Sequence, residues 1–306
     1  MNLHRKPIVV VGSINMDLVV RTPAIPLAGQ TLIGTEFITT PGGKGANQAV
    51  AVARLGYPVS MVGAVGDDVF AEALVANLAT AGVDTTAVER IAGPSGVAPI
   101  AVASNGENCI VVVPGANGKV GPASVDRNAR LIQSAGMVLC QLELTIETIL
   151  RVLGLCAQSG VPAMLDPAPA APLPDDVWRK IAWCTPNETE TALYVGQSLP
   201  PEAAAKQLLK RGVRGVALKR GAQGAYVAVA DGESAWVKPF PIHAVDTVAA
   251  GDCFNGALAV ALLEGLDPWG AARFASAAAA ISVTRKGAQS SMPSRAEVEV
   301  LLNRNP

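Results

Sequence analysis

The residues best suited to do chemistry lie in the segment 246–252, whose sequence is Asp-Thr-Val-Ala-Ala-Gly-Asp. At the start of a helix, unpaired backbone N–H groups and the helix dipole together favour an anion such as a phosphoryl group. Asp252 stands beside this position, where it can take a proton from a hydroxyl that attacks the bound phosphoryl group. The alternative is that Asp252 only stabilises the first turn of a helix. The small residues that leave the N–H groups accessible are Ala249, Ala250 and Gly251.

Two further segments combine glycines with side chains that can bind hydroxyl groups. Asn15 and Asp17 follow the first apolar run, and on an extended chain they face the same way, although they also suit an ordinary Asx turn. Gly43 and Lys44 belong to a Gly-Gly-Lys-Gly segment that lets a ligand approach the backbone, and Asn47 lies in the helical turn that follows. Because the spacing of a Walker loop is absent, the segment predicts either another kind of ligand loop or a flexible turn.

Polar residues also follow several other predicted strands. Glu143 can accept a hydrogen bond from a hydroxyl, or it can be a solvated loop acid. Asn187 and Glu190 share a face at a helix start, where the carboxylate can hold Mg²⁺ through water or the pair can simply cap the helix. The turn 219–224 can pass close to a nucleotide. The loop 282–291 can turn carbonyl groups towards a cation, or it can be a basic surface loop.

Composition and charge exclude several classes of function. The chain has 306 residues, 50% hydrophobic and 4% aromatic, and its net charge of −1 argues against a nucleic-acid-binding surface. No apolar run approaches the length of a membrane span and no signal peptide is evident, so we expect a cytoplasmic protein without a membrane partner. The five scattered cysteines indicate reduced thiols. His4 and His243 share no ligand spacing, which argues against a histidine metal site or a Ser-His-Asp triad.

The elements that position these residues alternate between strands and helices. This alternation predicts an α/β fold with a doubly wound, mostly parallel sheet and helices on both faces. Because the polar segments follow strands, we expect one site along the carboxyl edge of that sheet. Strands are predicted at 7–12, 59–65, 137–142, 161–166, 183–185, 215–219 and 236–245. Helices are predicted at 45–55, 68–81, 123–134, 146–158, 175–181, 188–195, 201–210, 251–263, 268–283 and from a capping box at 294 onwards.

Two segments break the alternation. Residues 18–40 carry short β-like pieces split by prolines and glycines, and residues 97–113 alternate as a hairpin with a turn at Asn105-Gly106. Neither segment has a helix to cover it, which favours a small β-sheet lid over a cleft, with ordinary surface hairpins as the alternative. A lid with an exposed apolar face also favours a homodimer. No linker separates independent units, so we expect a single domain over residues 1–306.

Several of these motifs occur in the same order in one known family. On the basis of these motifs, the chain resembles the ribokinase (PfkB-type) carbohydrate kinases over nearly its whole length. The resemblance implies ATP-dependent phosphorylation of D-ribose at the 5-hydroxyl, with a related kinase for deoxyribose, fructose or a nucleoside as the alternative. It also implies Mg²⁺ and K⁺ as cofactors. The matching motifs lie at 12–17, 42–47, 141–143, 187–190, 246–252 and 284–291.

The same resemblance assigns roles to individual residues. Asp252 would be the base that deprotonates the sugar hydroxyl, and the turn formed by Ala249, Ala250 and Gly251 would hold the transferring phosphoryl group. The residues that would bind the sugar are Asn15, Asp17, Gly43, Lys44, Asn47 and Glu143. The residues that would bind ATP and its Mg²⁺ are Asn187, Glu190, Lys219, Gly221, Gly224, Gly251 and Ser276. The residues that would hold K⁺ are Asp246, Val248, Ser282, Arg285, Gly287 and Ser291.

The chain departs from the family pattern at a few of these positions. Ala250 replaces a glycine that many members have, and Lys219-Arg220 replaces threonine and small residues, which leaves the nucleotide contacts there open. Ser276 stands where some relatives place a larger residue against adenine. A partner for the 2-hydroxyl at Asn15 or Asp17 would favour ribose over deoxyribose, because a site built to bind a hydroxyl discriminates strongly against its absence. A sugar-sensing protein that has lost catalysis is disfavoured, since the catalytic turn is intact.

Overall fold

Two β-sheets and their surrounding helices make up the computed structural model, which describes residues 5–197, 199–230 and 232–305. The strands are β1 (Ile8–Val11), β2 (Asn15–Thr22), β3 (Glu36–Gly42), β4 (Val59–Val65), β5 (Val88–Arg90), β6 (Gly96–Ala103), β7 (Asn108–Ile110), β8 (Met137–Gln141), β9 (Ala163–Asp166), β10 (Trp183–Cys184), β11 (Gly215–Lys219), β12 (Ala225–Val229) and β13 (Ser234–Val237). The α-helices are α1 (Lys44–Arg54), α2 (Ala71–Thr80), α3 (Pro122–Arg127), α4 (Ala129–Ser134), α5 (Ile146–Ser159), α6 (Glu188–Val195), α7 (Pro201–Lys210), α8 (Ala250–Leu263), α9 (Pro268–Ser282) and α10 (Arg295–Arg304).

The larger sheet has the strand order β13-β12-β11-β10-β9-β8-β1-β4-β5. Its strands run parallel from β11 to β5, and β12 and β13 add an antiparallel edge. Ile8 and Val10 of β1 face a core shared with α1, α2, α8, α9 and α10, whereas Val9 and Val11 face a core shared with α3 to α7. The predicted doubly wound, mostly parallel α/β fold with helices on both faces is therefore confirmed.

Local sequence signals locate most helix ends. The capping box of Ser294 and Glu297 opens α10, and Gly82 closes α2 with a φ of 93°. The helix predicted at 123–134 is instead divided into α3 and α4, and the one predicted at 175–181 is a short 3₁₀ helix. Within the described ranges, no helix combines the length and the apolarity needed to cross a bilayer.

The strand predicted at 236–245 is wrong. β13 ends at Val237, and the chain then runs irregularly until α8 begins. Pro239 and Pro241 explain the early end, because a proline has no N–H to donate to a strand ladder. The segment that enters α8 is therefore a loop beyond the edge of the sheet, and it does not follow the carboxyl end of a parallel strand.

The second sheet has the order β3-β2-β6-β7. β2 pairs parallel with β6 and antiparallel with β3, and β7 completes a hairpin with β6 in which Gly106 has a φ of 87°. Asn15 and Asp17 belong to β2, which starts before the predicted segment 18–40. Phe37 is 63% exposed on this sheet, so an apolar side chain remains open to water there.

Candidate active site

Polar side chains collect at the carboxyl edge of the larger sheet. The parallel strands β8, β9, β10 and β11 are consecutive neighbours, so their carboxyl ends lie side by side. This edge is where an open α/β sheet binds ligands. The polar residues at or just beyond these strand ends are Glu143, Asp166, Asn187 and Lys219.

Asp252 lies in the first turn of α8 and is only 4% exposed. Its Oδ2 accepts a hydrogen bond of 2.9 Å from Asn47 Nδ2, and its Oδ1 accepts one of 3.2 Å from Gln48 Nε2. Both donors lie on α1, which packs against α8, so helix packing orients the carboxylate. Among the described residues Asp252 forms no salt bridge. A carboxylate held by neutral amides keeps its capacity to accept a proton.

The turn before Asp252 has an uncommon backbone conformation. Ala249 has a φ of 58° and a ψ of 13°, the one positive φ outside glycine in the part of the chain that the structure describes. This left-handed conformation costs an alanine on the order of 1 kcal/mol, which surrounding contacts must offset. Ala250 N–H donates to Thr247 O, whereas the N–H groups of Gly251 and Asp252 donate to no described acceptor. Two free N–H groups at a helix start form a pocket for an anion.

Burial raises the pKa of Asp252 above its ordinary value. The ammonium group of Lys44 opposes this rise, the carboxylate of Asp166 adds to it, and the hydrogen bonds from Asn47 and Gln48 oppose it again. Because the net direction is upward, Asp252 is a stronger base than an aspartate in water.

Lys44 lies among carboxylates at the start of α1. Burial by itself lowers the pKa of Lys44, but these carboxylates outweigh burial and raise the pKa above its ordinary value, so the side chain stays charged. The Lys44 N–H donates to Glu143 Oε2 at 3.2 Å, and Ser13 Oγ donates to the same oxygen. Glu143 therefore fixes the loop that carries Lys44. The carboxylates around Lys44 belong to Asp252, Asp166, Glu143 and Glu190.

Asp17 is a buried acid near the start of β2 in the second sheet. It packs against Gly42 of β3, where a Cβ would come within 2.2 Å of Asp17 Oδ2. Burial, together with the charges of Glu143 and Asp252, raises the pKa of Asp17 to about 7. The second sheet thus brings a third acid close to the two that the larger sheet and α8 supply.

Sequence reasoning missed several polar residues of this site. Gln48 Nε2 donates to Asp166 Oδ2 at 3.2 Å, and Gln48 Oε1 accepts a bond of 2.7 Å from Gln141 Nε2. Asn117 Nδ2 donates to Asn15 Oδ1 at 2.7 Å and so fixes that side chain. Asp166 ends a predicted strand and Gln141 lies one residue before the end of another, a signal that could have identified them. Asn117 lies outside every predicted element, and nothing in the sequence pointed to it.

Asn187 and Glu190 bind each other in a capping box at the start of α6. Asn187 Oδ1 accepts from Glu190 N at 2.9 Å, while the Glu190 carboxylate accepts from Asn187 N at 2.7 Å and from Asn187 Nδ2 at 2.8 Å. The capping alternative is therefore present in the structure. Burial raises the pKa of Glu190, and the nearby Lys219 opposes that rise. Each carboxylate oxygen keeps a free lone pair, so the residue still fits a hydrated Mg²⁺.

The predicted nucleotide turn begins where β11 ends. Lys219 Nζ lies 2.8 Å from Asp166 Oδ1. Gly221 and Gly224 have φ values of 52° and 91°, and a Cβ at Gly224 would lie 2.2 Å from a carbonyl oxygen of β13. This turn therefore requires glycine. Ser276 is half-buried on α9, which packs against α8.

Two loops carry the residues predicted to hold a cation: Asp246, Val248, Ser282, Arg285, Gly287 and Ser291. Asp246 joins the loops, since its Oδ1 accepts from Val248 N at 3.0 Å and its Oδ2 accepts from Gly287 N at 2.9 Å. The guanidinium group of Arg285 forms a salt bridge with Glu297 and not with the site. The carboxylate and carbonyl oxygens of these loops fit a hard cation such as K⁺.

Comparison with known proteins identifies relatives over nearly the whole length of the chain. The profile of the pfkB family of carbohydrate kinases matches residues 5–295. The chain is 44% identical to a ribokinase of Bacillus subtilis, over 97% of this chain and 99% of the relative. It is 38% identical to a deoxyribokinase of Salmonella typhi, over 97% of this chain and 99% of the relative.

Solved structures give the same result for the fold. A ribokinase from Thermotoga maritima superposes with a TM-score of 0.90 at 39% identity, covering 97% of this chain and 99% of the other. An Arabidopsis thaliana ribokinase, solved in complex with ribose and ATP, superposes with a TM-score of 0.90 at 35% identity, covering 97% of this chain and 98% of the other.

Proposed function

The chain belongs to the pfkB family of carbohydrate kinases, and we propose that it transfers the terminal phosphoryl group of ATP to the 5-hydroxyl of D-ribose. The observation that carries this proposal is the position of the buried Asp252 next to the free N–H groups that start α8. An acid with a raised pKa serves to remove a proton, and the adjacent N–H groups serve to stabilise the phosphoryl group.

In this reaction the sugar oxygen forms a bond to phosphorus while Asp252 takes the hydroxyl proton. ADP leaves with the electron pair of the broken P–O bond. Asn47 and Gln48 hold the carboxylate in place, and the N–H groups at Gly251 receive the charge that develops on the phosphoryl oxygens. Lys44 adds a fixed positive charge. Most of the rate enhancement would come from such positioning and electrostatic stabilisation.

Ribose would lie between the start of β2 and the start of α1, and the second sheet would cover it as a lid. Asn15 and Asp17 are buried there and offer groups that bind hydroxyls. Asn47 Oδ1 is buried and accepts no bond from any described group, so a sugar hydroxyl would satisfy it. Gly43 has a φ of 89°, which lets the backbone approach a ligand, and Glu143 is available beside it.

ATP would extend from the N–H pocket at Gly251 across the ends of β10 and β11. The glycine turn after Lys219, the α6 start at Asn187 and the half-buried Ser276 would contact it. A hydrated Mg²⁺ beside Glu190 would offset phosphate charge when bound. A relative in complex with ribose and ATP supports both ligands as substrates.

A substrate panel tests this proposal directly. Purified protein with ATP and Mg²⁺ should phosphorylate D-ribose with a higher kcat/KM than 2-deoxyribose, fructose or a nucleoside. The comparison with 2-deoxyribose matters most, because a deoxyribokinase is among the relatives. A preference for deoxyribose would replace ribose by that substrate, and no phosphorylation of any sugar would contradict the proposal as a whole.

We also propose that K⁺ activates the enzyme by stiffening the loop that Asp246 anchors. Replacing KCl by NaCl at equal ionic strength should lower kcat several-fold while changing the ribose KM less. Asp246→Asn should lose this dependence on K⁺, because the amide removes the negative charge that a cation needs. Equal rates in both salts for the wild-type protein would contradict the proposal. Asp267→Asn, a change in the exposed α9 cap, is the matched control.

A homodimer through the second sheet is a further proposal. Exposed apolar side chains on this sheet, such as Phe37, Ile38 and Ile110, support an interface. Phe37→Lys with Ile38→Lys should halve the mass measured by sedimentation equilibrium. Val69→Lys changes a side chain that is 87% exposed outside this sheet, and it should leave the mass unchanged. A wild-type monomer would rule the dimer out.

The cysteines support a proposed location in the cytoplasm. All five are free and four are buried. Burial raises the pKa of each buried thiol, including Cys156 and Cys253, which keeps them protonated and unreactive. Free thiols of this kind are typical of proteins in a reducing compartment.

A further inference from the structure

Lys219 and Asp166 form a largely buried salt bridge that borders the candidate active site. The two atoms Lys219 Nζ and Asp166 Oδ1 are 2.8 Å apart, and the side chains are 14% and 2% exposed. On its other side the ammonium group faces the phosphoryl pocket, since a Cβ built on Gly251 would lie 3.4 Å from Lys219 Nζ. A lysine thus stands beside the free N–H groups at the start of α8.

The salt bridge is also connected to the proposed base. Asp166 Oδ2 accepts a bond from Gln48 Nε2, and the same amide nitrogen donates to Asp252 Oδ1, each at 3.2 Å. A continuous set of contacts therefore runs from Lys219 through Asp166 and Gln48 to Asp252. This arrangement fixes the ammonium group in space relative to the carboxylate that removes the proton.

Charge explains why a second cation is needed at this point. Lys44 is already surrounded by several carboxylates, including Asp252 and Asp166, which offset its charge. A phosphoryl group entering the Gly251 pocket brings negative charge into a region where these acids repel it. An ammonium group has three donors, so Lys219 can keep its bond to Asp166 and still donate to a phosphoryl oxygen.

We propose that Lys219 is a catalytic residue that donates to a non-bridging oxygen of the phosphoryl group in transfer, and that Asp166 is its positioning residue. Lys219 contributes charge and exchanges no proton: the proton of the sugar hydroxyl goes to Asp252, and the bond electrons leave with ADP. The inference rests on the proposed kinase function. It assigns a role to Lys219, a position at which this chain departs from the family pattern.

Three variants separate catalysis from a structural role. Lys219→Met keeps the length of the side chain and removes the charge, but it leaves Asp166 buried without its partner, which destabilises the fold. Asp166→Asn combined with Lys219→Met removes both charges and should restore the melting temperature lost in the single variant. Asp166→Asn alone keeps the lysine and removes its anchor. Lys206→Met, an exposed lysine on α7, is the control.

Kinetics give the first result. We expect Lys219→Met and the double variant to lose about 10²-fold in kcat, with the ribose KM nearly unchanged. The double variant should stay slow even though its stability returns, because neither side chain can stabilise the phosphoryl group. Asp166→Asn should show a smaller loss of kcat. Recovery of kcat together with stability in the double variant would show that the pair is only structural and would overturn the proposal.

Nucleotide binding gives a second result that does not depend on turnover. ADP alone should bind the wild-type protein and Lys219→Met with similar affinity by calorimetry. ADP with aluminium fluoride, which mimics the phosphoryl group in transfer, should bind Lys219→Met at least about tenfold more weakly. Equal losses for both ligands would place Lys219 at the nucleotide and not at the transferring group. The two binding measurements need no turnover, so they would test the role of Lys219 even if the wild-type protein failed to phosphorylate ribose. A failure of this inference can therefore be distinguished from a failure of the proposed function.

Discussion

Asp252→Asn is expected to lower kcat for ribose phosphorylation by about 10³-fold, the loss typical for removal of a general base. The amide has nearly the same shape as the carboxylate but cannot accept the hydroxyl proton. Ribose and ADP should still bind with dissociation constants within about threefold of the wild type, because the other groups that contact them are unchanged. Single-turnover kinetics, with calorimetry for each ligand, measure the two effects separately.

The local contacts of Asp252 make the control for this experiment important. Asn47 and Gln48 both donate to the carboxylate, so the new amide places its own donor against one of them. A lower melting temperature is therefore expected, and turnover must be measured well below it. Asp175→Asn changes an exposed acid outside the site and should leave kcat and stability intact. Near-normal turnover in Asp252→Asn would exclude this residue as the base.

The fold was predictable because the strongest sequence signals were periodic and local. The predicted bounds of β4, β11, α6 and α7 equal the observed ones. Burial of the β1 side chains on both faces is what an apolar run without alternation predicts. The strand predicted at 236–245 ends early at Val237, because the two prolines that follow lack the N–H groups that pairing needs, whatever the apolar pattern around them.

The candidate site was predictable where a residue lies at the end of an element, and unpredictable where two elements meet. Glu143, Asn187 and Lys219 could be selected because each follows a strand. The salt bridge between Lys219 and Asp166 joins residues 53 positions apart, and the bond from Gln48 to Asp166 joins residues 118 positions apart. Only the strand order and the packing of α1 create these contacts, so one sequence contains no local sign of them.

Asn187 and Glu190 show a different limit. Their spacing fits both a helix cap and a magnesium site, because a carboxylate in the first helical turn can accept backbone hydrogen bonds or bind a hydrated Mg²⁺. The structure contains the cap, and both carboxylate oxygens accept its hydrogen bonds. A cap and a water-mediated metal contact use different lone pairs, so the two interpretations are compatible.

Asp17→Asn is expected to weaken ribose binding by about 10²-fold at pH 8, because the site would lose a charged acceptor for sugar hydroxyls. In the wild-type protein the same acceptor is lost by protonation. The pKa of Asp17 is raised to about 7 by burial and by the charges of Glu143 and Asp252. The ribose dissociation constant should therefore rise as the pH falls through 7 in the wild type, and this part of the pH dependence should be absent in the variant.

Asp17→Asn should also stabilise the fold, and this stabilisation should increase as the pH rises. Below the ordinary value of 3.8, Asp17 is protonated in both the folded and the unfolded chain and has no effect on their difference. Between 3.8 and about 7 the unfolded chain has lost the proton that the folded chain keeps, so the free energy of unfolding falls as the pH rises. Above 7 the full cost is present, on the order of a few kcal/mol.

Asp17→Asn removes this titration, so its gain in melting temperature over the wild type should be small at pH 5 and larger at pH 8. Thermal unfolding of both proteins across this range measures it, with Asp175→Asn as the exposed control. Ribose should reduce this difference in melting temperature between the two proteins. Sugar hydroxyls that donate to the charged carboxylate lower the pKa of Asp17, so Asp17 releases a proton when ribose binds. A gain that stays constant with pH would mean that Asp17 is already ionised in the free enzyme and that substrate binding moves no proton there.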